Sequence, residues 1–384
     1  VLNFQFYNPT RIIFGKETVS ELSQQLPAQA KVLILYGGES AVKNGTIDEV
    51  KKALGEREYF EFGGIEPNPH YETLLKAVAL VKQHQIDFLL AVGGGSVIDG
   101  TKFVSLATCY EGDPWEILSR KKVPVTALPI GTVLTLPATG SEMNCRGVVT
   151  RAETKEKLSF RTPLVYPQFS ILDPTKTYTL PERQLANGIV DSFMHTLEQY
   201  LTYPIDAKVP DYFAEGVLRT LIEIAPDVLS QPDNYEARAN FMWAATVALN
   251  GFLATGVPED WTTHRIGHEL TALYGIDHAR TLAIILPALL EVKKEAKRGK
   301  LLQYAKRVWD ITEGSDEQKV DLAIQKTCEF FESVGIKTHF SDYGLGREVI
   351  EPILQQMEKH GQINLGEHQD ITLSTSRQIL EKAL

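Results

Sequence analysis

Short apolar runs alternate with helix-period stretches over the first 180 residues. Lys31-Val-Leu-Ile-Leu-Tyr36 is a compact β-rich run followed at once by Gly37-Gly38. Phe88-Leu-Leu-Ala-Val92 is a second, followed by Gly93-Gly94-Gly95. Val123–Pro129 and Phe169–Leu172 are weaker strand candidates. Ile47–Leu54 and Tyr71–His84 place apolar residues at helical spacing between the strands. Strand, helix, strand in this order predicts a mostly parallel α/β sheet. After Pro181 the strand-like runs almost vanish and helical periodicity continues to Leu384. Thr179-Leu-Pro-Glu182 reads as a capping box with proline in the first turn. The expected organisation is an α/β domain over 1–181 and an all-α domain over 182–384.

The length of 384 residues fits two domains with a large buried core. Hydrophobic content of 43% and charged content of 23% are ordinary for a globular chain. A net charge of −10 argues against nucleic acid and against an anionic membrane surface. Cys109, Cys145 and Cys328 are far apart and form no CxxC pair, which reads as a cytosolic chain with free thiols. Val1-Leu-Asn-Phe-Gln-Phe6 has no basic region followed by an apolar run, so no secretory signal is expected. No apolar stretch reaches the roughly 18 residues that span a bilayer. A cytoplasmic location is expected, without membrane or nucleic-acid partners.

The chemistry-bearing residues fall in two groups. Asp191 and His195 lie at i, i+4, which puts both side chains on one helix face. His264 and His278 lie 14 residues apart in the next histidine-bearing segment. Three imidazoles and one carboxylate suit a divalent metal such as Zn²⁺ or Fe²⁺. His268 shares the His264 face at i+4 and is a candidate for proton transfer, a further ligand or simple packing. His268-Glu-Leu-Thr-Ala is not HExxH, which disfavours a zinc protease.

The second group is glycine-rich. Gly93-Gly-Gly-Ser-Val-Ile-Asp-Gly-Thr-Lys102 follows a strand and opens a helix, where glycines admit a pyrophosphate and the helix N-terminus supplies N–H donors. Tyr36-Gly-Gly-Glu-Ser40 follows the earlier strand and has room for a 2′-phosphate, with Ser40 as donor. Thr135–Asn144 is dense in small hydroxyl and amide groups that could close over a cofactor, or cap a helix. Each stretch has a plainer reading as a tight turn. Lys102 and Lys157 are candidates to face phosphate or ribose, and Phe252, Leu253 and Trp261 to line an apolar substrate pocket.

Together these motifs resemble the iron-containing (group III) alcohol dehydrogenase family, most closely its NADPH-dependent aldehyde reductase and butanol dehydrogenase branch. The likeness runs from Asn8–Gly15 through Phe62–Pro69, Gly93–Ser96, Ala248–Gly251 and the histidine segment to Ser341–Leu345 and Asp370–Leu373. The resemblance implies a dehydroquinate synthase-like architecture: an N-terminal Rossmann-like domain, a C-terminal helical domain, and a metal in the cleft between them. It implies a homodimer acting on small aldehydes and alcohols with NADP(H) and one divalent metal, Zn or Fe. It implies Asp191, His195, His264 and His278 as ligands, and His268 near the nicotinamide. It implies cofactor contacts at Gly37, Gly38, Ser40, Asn68, Gly94, Gly95, Ser96, Asp99, Thr135, Thr139, Asn144 and Lys157. The branch has Gly where this chain has Glu39, and a carboxylate there repels a 2′-phosphate. An NAD(H)-preferring alcohol or polyol dehydrogenase of the same fold is therefore the alternative. A lyase of the dehydroquinate synthase type would need a basic phosphate pocket, for which only Arg265 and Arg280 stand near the ligand histidines in sequence. A nucleotide- or metal-binding protein without catalysis is the third reading.

Overall fold

Strand residues in the first half bury both side-chain faces, and that pattern selects a parallel sheet sandwiched by helices. The computed structural model describes residues 1–384. Its central sheet uses β1 (Arg11–Phe14), β2 (Val32–Tyr36), β3 (Tyr59–Phe62), β4 (Phe88–Gly94), β5 (Ile130–Leu136) and, later in the chain, β8 (Phe169–Leu172). The order is β1-β8-β5-β4-β2-β3, and every pairing is parallel. Within β2, Leu33 and Leu35 join one core cluster and Val32 and Ile34 the other. Helices α2 (Tyr71–His84) and α3 (Gly95–Thr108) cover the first face, through Leu74, Val78, Ile98 and Phe103. Helix α1 (Thr46–Leu54) covers the second, through Ile47, Val50 and Leu54. Truncating Leu35 to Ala in this packing costs about 2–5 kcal/mol.

One strand expectation is corrected. Val123–Pro129 is not a strand; the strand begins at Ile130, because Pro124 and Pro129 have no N–H to give a ladder. An antiparallel hairpin of β6 (Arg146–Arg151) and β7 (Glu156–Arg161) follows, with Arg146 opposite Arg161. Its alternation is mostly polar, so it carries little hydrophobic signal.

The chain changes character at Glu182, where α4 (Glu182–Tyr200) begins directly after Pro181. Thr179 thus lies three residues ahead of the helix and not at its cap. Helices α5 (Lys208–Ser230), α6 (Tyr235–Ala248), α7 (Thr262–Tyr274), α8 (His278–Val292), α9 (Arg298–Val308), α10 (Asp316–Ser333), α11 (Ile350–Lys359) and α12 (Leu373–Lys382) complete the chain, with one small ribbon pairing Leu365 with Ile371. No helix is long and apolar enough to cross a membrane.

Packing divides the chain into two units. One holds residues 7–181 and 231–250; the other holds 1–6, 182–230 and 251–384. Helix α6 is therefore part of the α/β unit, not of the helical one in which its sequence position and periodicity placed it. Buried Met242 joins the sheet's first core cluster, and Arg238 Nη1 donates to Thr177 O at 2.5 Å.

Candidate metal and nucleotide sites

In the helical unit, α4 is buried along nearly all of its length, which forces its polar residues to find partners inside. Asp191 and His195, one turn apart, are 3% and 4% exposed. Helix α7 brings His264 to the same point. It ends on Gly275 at φ 68°, a left-handed position that suits glycine, and the chain returns to start α8 at His278. Asp277 anchors this return by accepting from Arg183 Nε at 2.8 Å and Asn187 Nδ2 at 2.9 Å. Burial works to raise its pKa, but those two donors prevail and hold it below the usual range.

The result is convergence on one oxygen. Asp191 Oδ1 lies 3.6 Å from His195 Nε2, 3.9 Å from His264 Nε2 and 3.6 Å from His278 Nε2. Ligands about 2.1 Å from a tetrahedral metal stand roughly 3.4 Å from one another. The spacing of each imidazole from Asp191 Oδ1 is of that order, and His278 Nε2 reaches the same oxygen from α8. Asp191, His195 and His264 alone form a cluster whose ligand atoms lie within 4.8 Å of one another. The His278 side chain is the most exposed of the four at 22%, which leaves access on its side. The His268 ring is 5.2 Å from that of His278 and 6.2 Å from that of His264. Trp261 packs edge-on to His264 at 5.3 Å and donates through Nε1 to Glu259 at 2.7 Å. Phe252 instead packs on Phe6 and Phe213.

Glu198 went unrecognised in the sequence. It contacts His264 Nδ1 through Oε2 and accepts from the His264 main-chain N at 3.2 Å. Burial, together with nearby Asp260, pushes its carboxyl well above the usual range, against the amide donors of His264 and Thr263. Its position at i+3 from His195 was the available signal.

In the α/β unit, the sheet order reverses direction between β2 and β4, since β3 lies outside β2 and β5 outside β4. Ligands of open α/β sheets bind at such a switch point, beyond the strand carboxyl ends. Tyr36 is the register partner of Val92, so the chain leaves β2 at Gly37 beside the last residues of β4, Gly93 and Gly94. Helix α3 starts at Gly95 with no side-chain cap, leaving its first N–H groups to an anion. A Cβ on Gly95 would lie 2.3 Å from Thr139 Oγ1, and one on Gly94 2.9 Å from Leu136 Cβ. Only glycine allows this approach. Gly93 pairs with Leu134 and Gly94 with Leu136, so Thr135 sits in a bulge that turns it out of the ladder. Asn68 holds φ 56°, its N–H donates to Ser96 Oγ at 3.2 Å, and Lys157 Nζ donates to its Oδ1 at 2.8 Å. Gly38 has open space around it, and Ser40 is exposed at the start of a short helical turn.

Three candidates turn out to be committed inside the fold. Lys102 does not face a phosphate: it is fully buried and donates to Ser141 Oγ, Asn144 Oδ1 and Arg146 O at 2.8, 3.1 and 2.8 Å. Asn144 accepts from Lys102 and Arg146 N, and donates to Gly140 O and Leu249 O. Asp99 accepts from Ser141 Oγ at 2.6 Å and Val148 N at 2.9 Å, and burial raises its pKa despite Lys102.

Residues 9–174 match the model of the iron-containing alcohol dehydrogenase, and residues 185–384 match that of the Fe-containing alcohol dehydrogenase family, C-terminal. The chain belongs to the iron-containing alcohol dehydrogenase family. It is 56% identical over 384 residues to the NADPH-dependent aldehyde reductase YqhD of Escherichia coli K12, covering 99% of each chain. The crystal structure of YqhD from Escherichia coli K-12 superposes with a TM-score of 0.99, covering 100% of this chain and 99% of that one. The NADH-dependent butanol dehydrogenase A of Clostridium acetobutylicum is 35% identical over 388 residues, with both chains covered completely.

Proposed function

We propose that this chain is an NADP(H)-dependent, metal-dependent reductase of short-chain aldehydes, reversible as a primary alcohol dehydrogenase. The observation that carries the reading is the convergence of three imidazole Nε2 atoms on Asp191 Oδ1, in a chain 56% identical throughout to an NADPH-dependent aldehyde reductase. When bound, a divalent metal, Zn²⁺ or Fe²⁺, supplies Lewis-acid polarisation of a carbonyl, and a nicotinamide supplies the hydride.

The remaining work belongs to the chain. Asp191 contributes one negative charge among three neutral imidazoles, so a divalent ion keeps a net positive charge for a carbonyl oxygen. Gly37, Gly38 and Ser40 offer a 2′-phosphate cradle, and Gly94, Gly95 and Ser96 a pyrophosphate cradle at the start of α3. Asp99, Thr135, Thr139, Asn144, Asn68 and Lys157 shape and orient that nucleotide side. His268 is the proton donor to the product oxygen, its imidazole suiting transfer near neutral pH. The Trp261 ring, held through Glu259, is an apolar wall beside His264 that keeps water away.

Butanal with NADPH or NADH tests the reading through nicotinamide absorbance, before and after chelation and with Zn²⁺ or Fe²⁺ restored. NADPH oxidation lost on chelation and recovered with metal is expected. A metal-loaded protein that oxidises neither cofactor overturns it.

A further inference from the structure

Asp191, His195 and Glu198 recur at i, i+4 and i+7 of α4, and so share one helix face. Two of these converge on the ligand point. The third meets a ligand of another helix from behind. Trp261, at the N-cap of α7, has no side chain that can accept from the helix's first amides. Glu198 takes that task from α4. Its Oε1 accepts from His264 N at 3.2 Å. Its Oε2 meets His264 Nδ1. With Nε2 turned toward Asp191 Oδ1 as the ligating nitrogen, the ring's single proton lies on Nδ1, where the Glu198 oxygen accepts it.

The backing is equally fixed. Asp260 N donates to Glu198 main-chain O at 2.8 Å, while Asp260 Oδ1 accepts from Thr262 N at 2.9 Å. Asp260 Oδ2 lies 2.9 Å from Lys297 Nζ, which also donates to Leu201 O at 2.7 Å and reaches Glu367 at 2.8 Å. Buried Lys297 thus offsets part of the negative charge collected behind the histidine.

We propose that Glu198 is the positioning residue of the metal centre: it locks His264 as the Nδ1–H tautomer, points Nε2 at the ion, and ties helix α7 to the helix that carries the other two ligands. This rests on the metal reading above. A carboxylate placed behind a ligating imidazole raises the basicity of the ring and removes its rotational freedom, and its loss costs about 10- to 100-fold in metal affinity.

The test uses the full chain and Zn²⁺ alone, titrated against a chromophoric chelator. Glu198→Gln and Glu198→Ala are compared with the wild type and with Asp260→Asn, which loosens the same helix end without touching the imidazole. Zinc affinity is expected to fall about 10- to 100-fold in both Glu198 variants, and less in Asp260→Asn. Nitrogen NMR of labelled histidine should show His264 losing its Nδ1–H form. Should Glu198→Ala fail to fold, Glu198→Gln, which keeps the size and one acceptor, decides alone. Zinc affinity in Glu198→Gln within twofold of the wild type overturns the proposal and leaves Glu198 a helix cap only. So does a loss no larger than that of Asp260→Asn. A wild type that takes up no zinc or iron removes the metal reading itself, a separate result from normal uptake in both wild type and variant.

Discussion

Glu39 and Lys43 form an exposed ion pair one helical turn apart, at the carboxyl end of β2. The ammonium holds the Glu39 carboxyl below the usual range, so the pair stays charged at neutral pH. A carboxylate already facing a lysine repels a neighbouring phosphate less than a bare one. Glu39→Gly is expected to raise the kcat/KM preference for NADPH over NADH, and Lys43→Ala to lower it, each by roughly two- to fivefold, the scale of exposed charge pairs. Both effects should shrink with added salt. Unchanged ratios in both variants would separate the Gly37–Ser40 turn from cofactor choice.

His264→Ala removes a ligand while leaving the nucleotide residues untouched, since those all belong to the α/β unit. Turnover should fall by more than about a thousandfold, the equivalent of several kcal/mol of Lewis-acid stabilisation. Bound metal should fall in parallel, and NADPH binding followed by nicotinamide fluorescence should persist. Retained turnover with metal bound sinks the ligand assignment.

A methyl group at Gly95 collides with Thr139 Oγ1 at 2.3 Å and Cγ2 at 2.4 Å. Overpacking of this kind costs about 1–3 kcal/mol. Gly95→Ala should therefore raise the KM for NADP(H) several-fold or more, with kcat at saturation changing less. Adding Thr139→Ala removes the colliding atoms and should recover much of the loss. Steady-state kinetics on the single and double variants read this directly.

Burial lowers the Lys102 pKa from 10.5 to about 8, against the pull of Asp99. Between those values the unfolded chain binds more protons at this site than the folded one, so its contribution to stability rises with pH. The denaturation free energy of the wild type should gain on that of Lys102→Met as pH climbs from 8 to 10.5. A constant difference across that range would mean the lysine titrates normally.

The legible parts of this fold were those where one residue type has one physical use. Lys31–Tyr36 and Phe88–Val92 each run into glycine, and the register partners Tyr36 and Val92 put both glycine runs at one switch point. Asp191 and His195 are a polar pair on an otherwise buried helix, visible from spacing alone. Glu198 was invisible for the opposite reason: glutamate every few residues is ordinary helix surface, and only burial reveals it as a partner of His264. The β6–β7 hairpin escaped because it pairs polar strands, Thr150 opposite Lys157 and Arg151 opposite Glu156. Lys102 stood as a candidate for phosphate or ribose because it follows a glycine-rich turn, whereas Ser141, Asn144 and Arg146 take all three of its donors.

The peptide passes from one unit to the other four times, after residues 6, 181, 230 and 250. On the ribosome, the α/β unit has its whole sheet by Leu172 yet lacks the helix that brings Met242 into its core until Asn250 is made. By then the residues of α4 and α5 have already been synthesised. Domains of most proteins mature in the order of synthesis; here the α/β unit is complete only after two helices of the other unit have emerged. A chain cut at residue 181 lacks the helix that carries Met242 into the sheet's core.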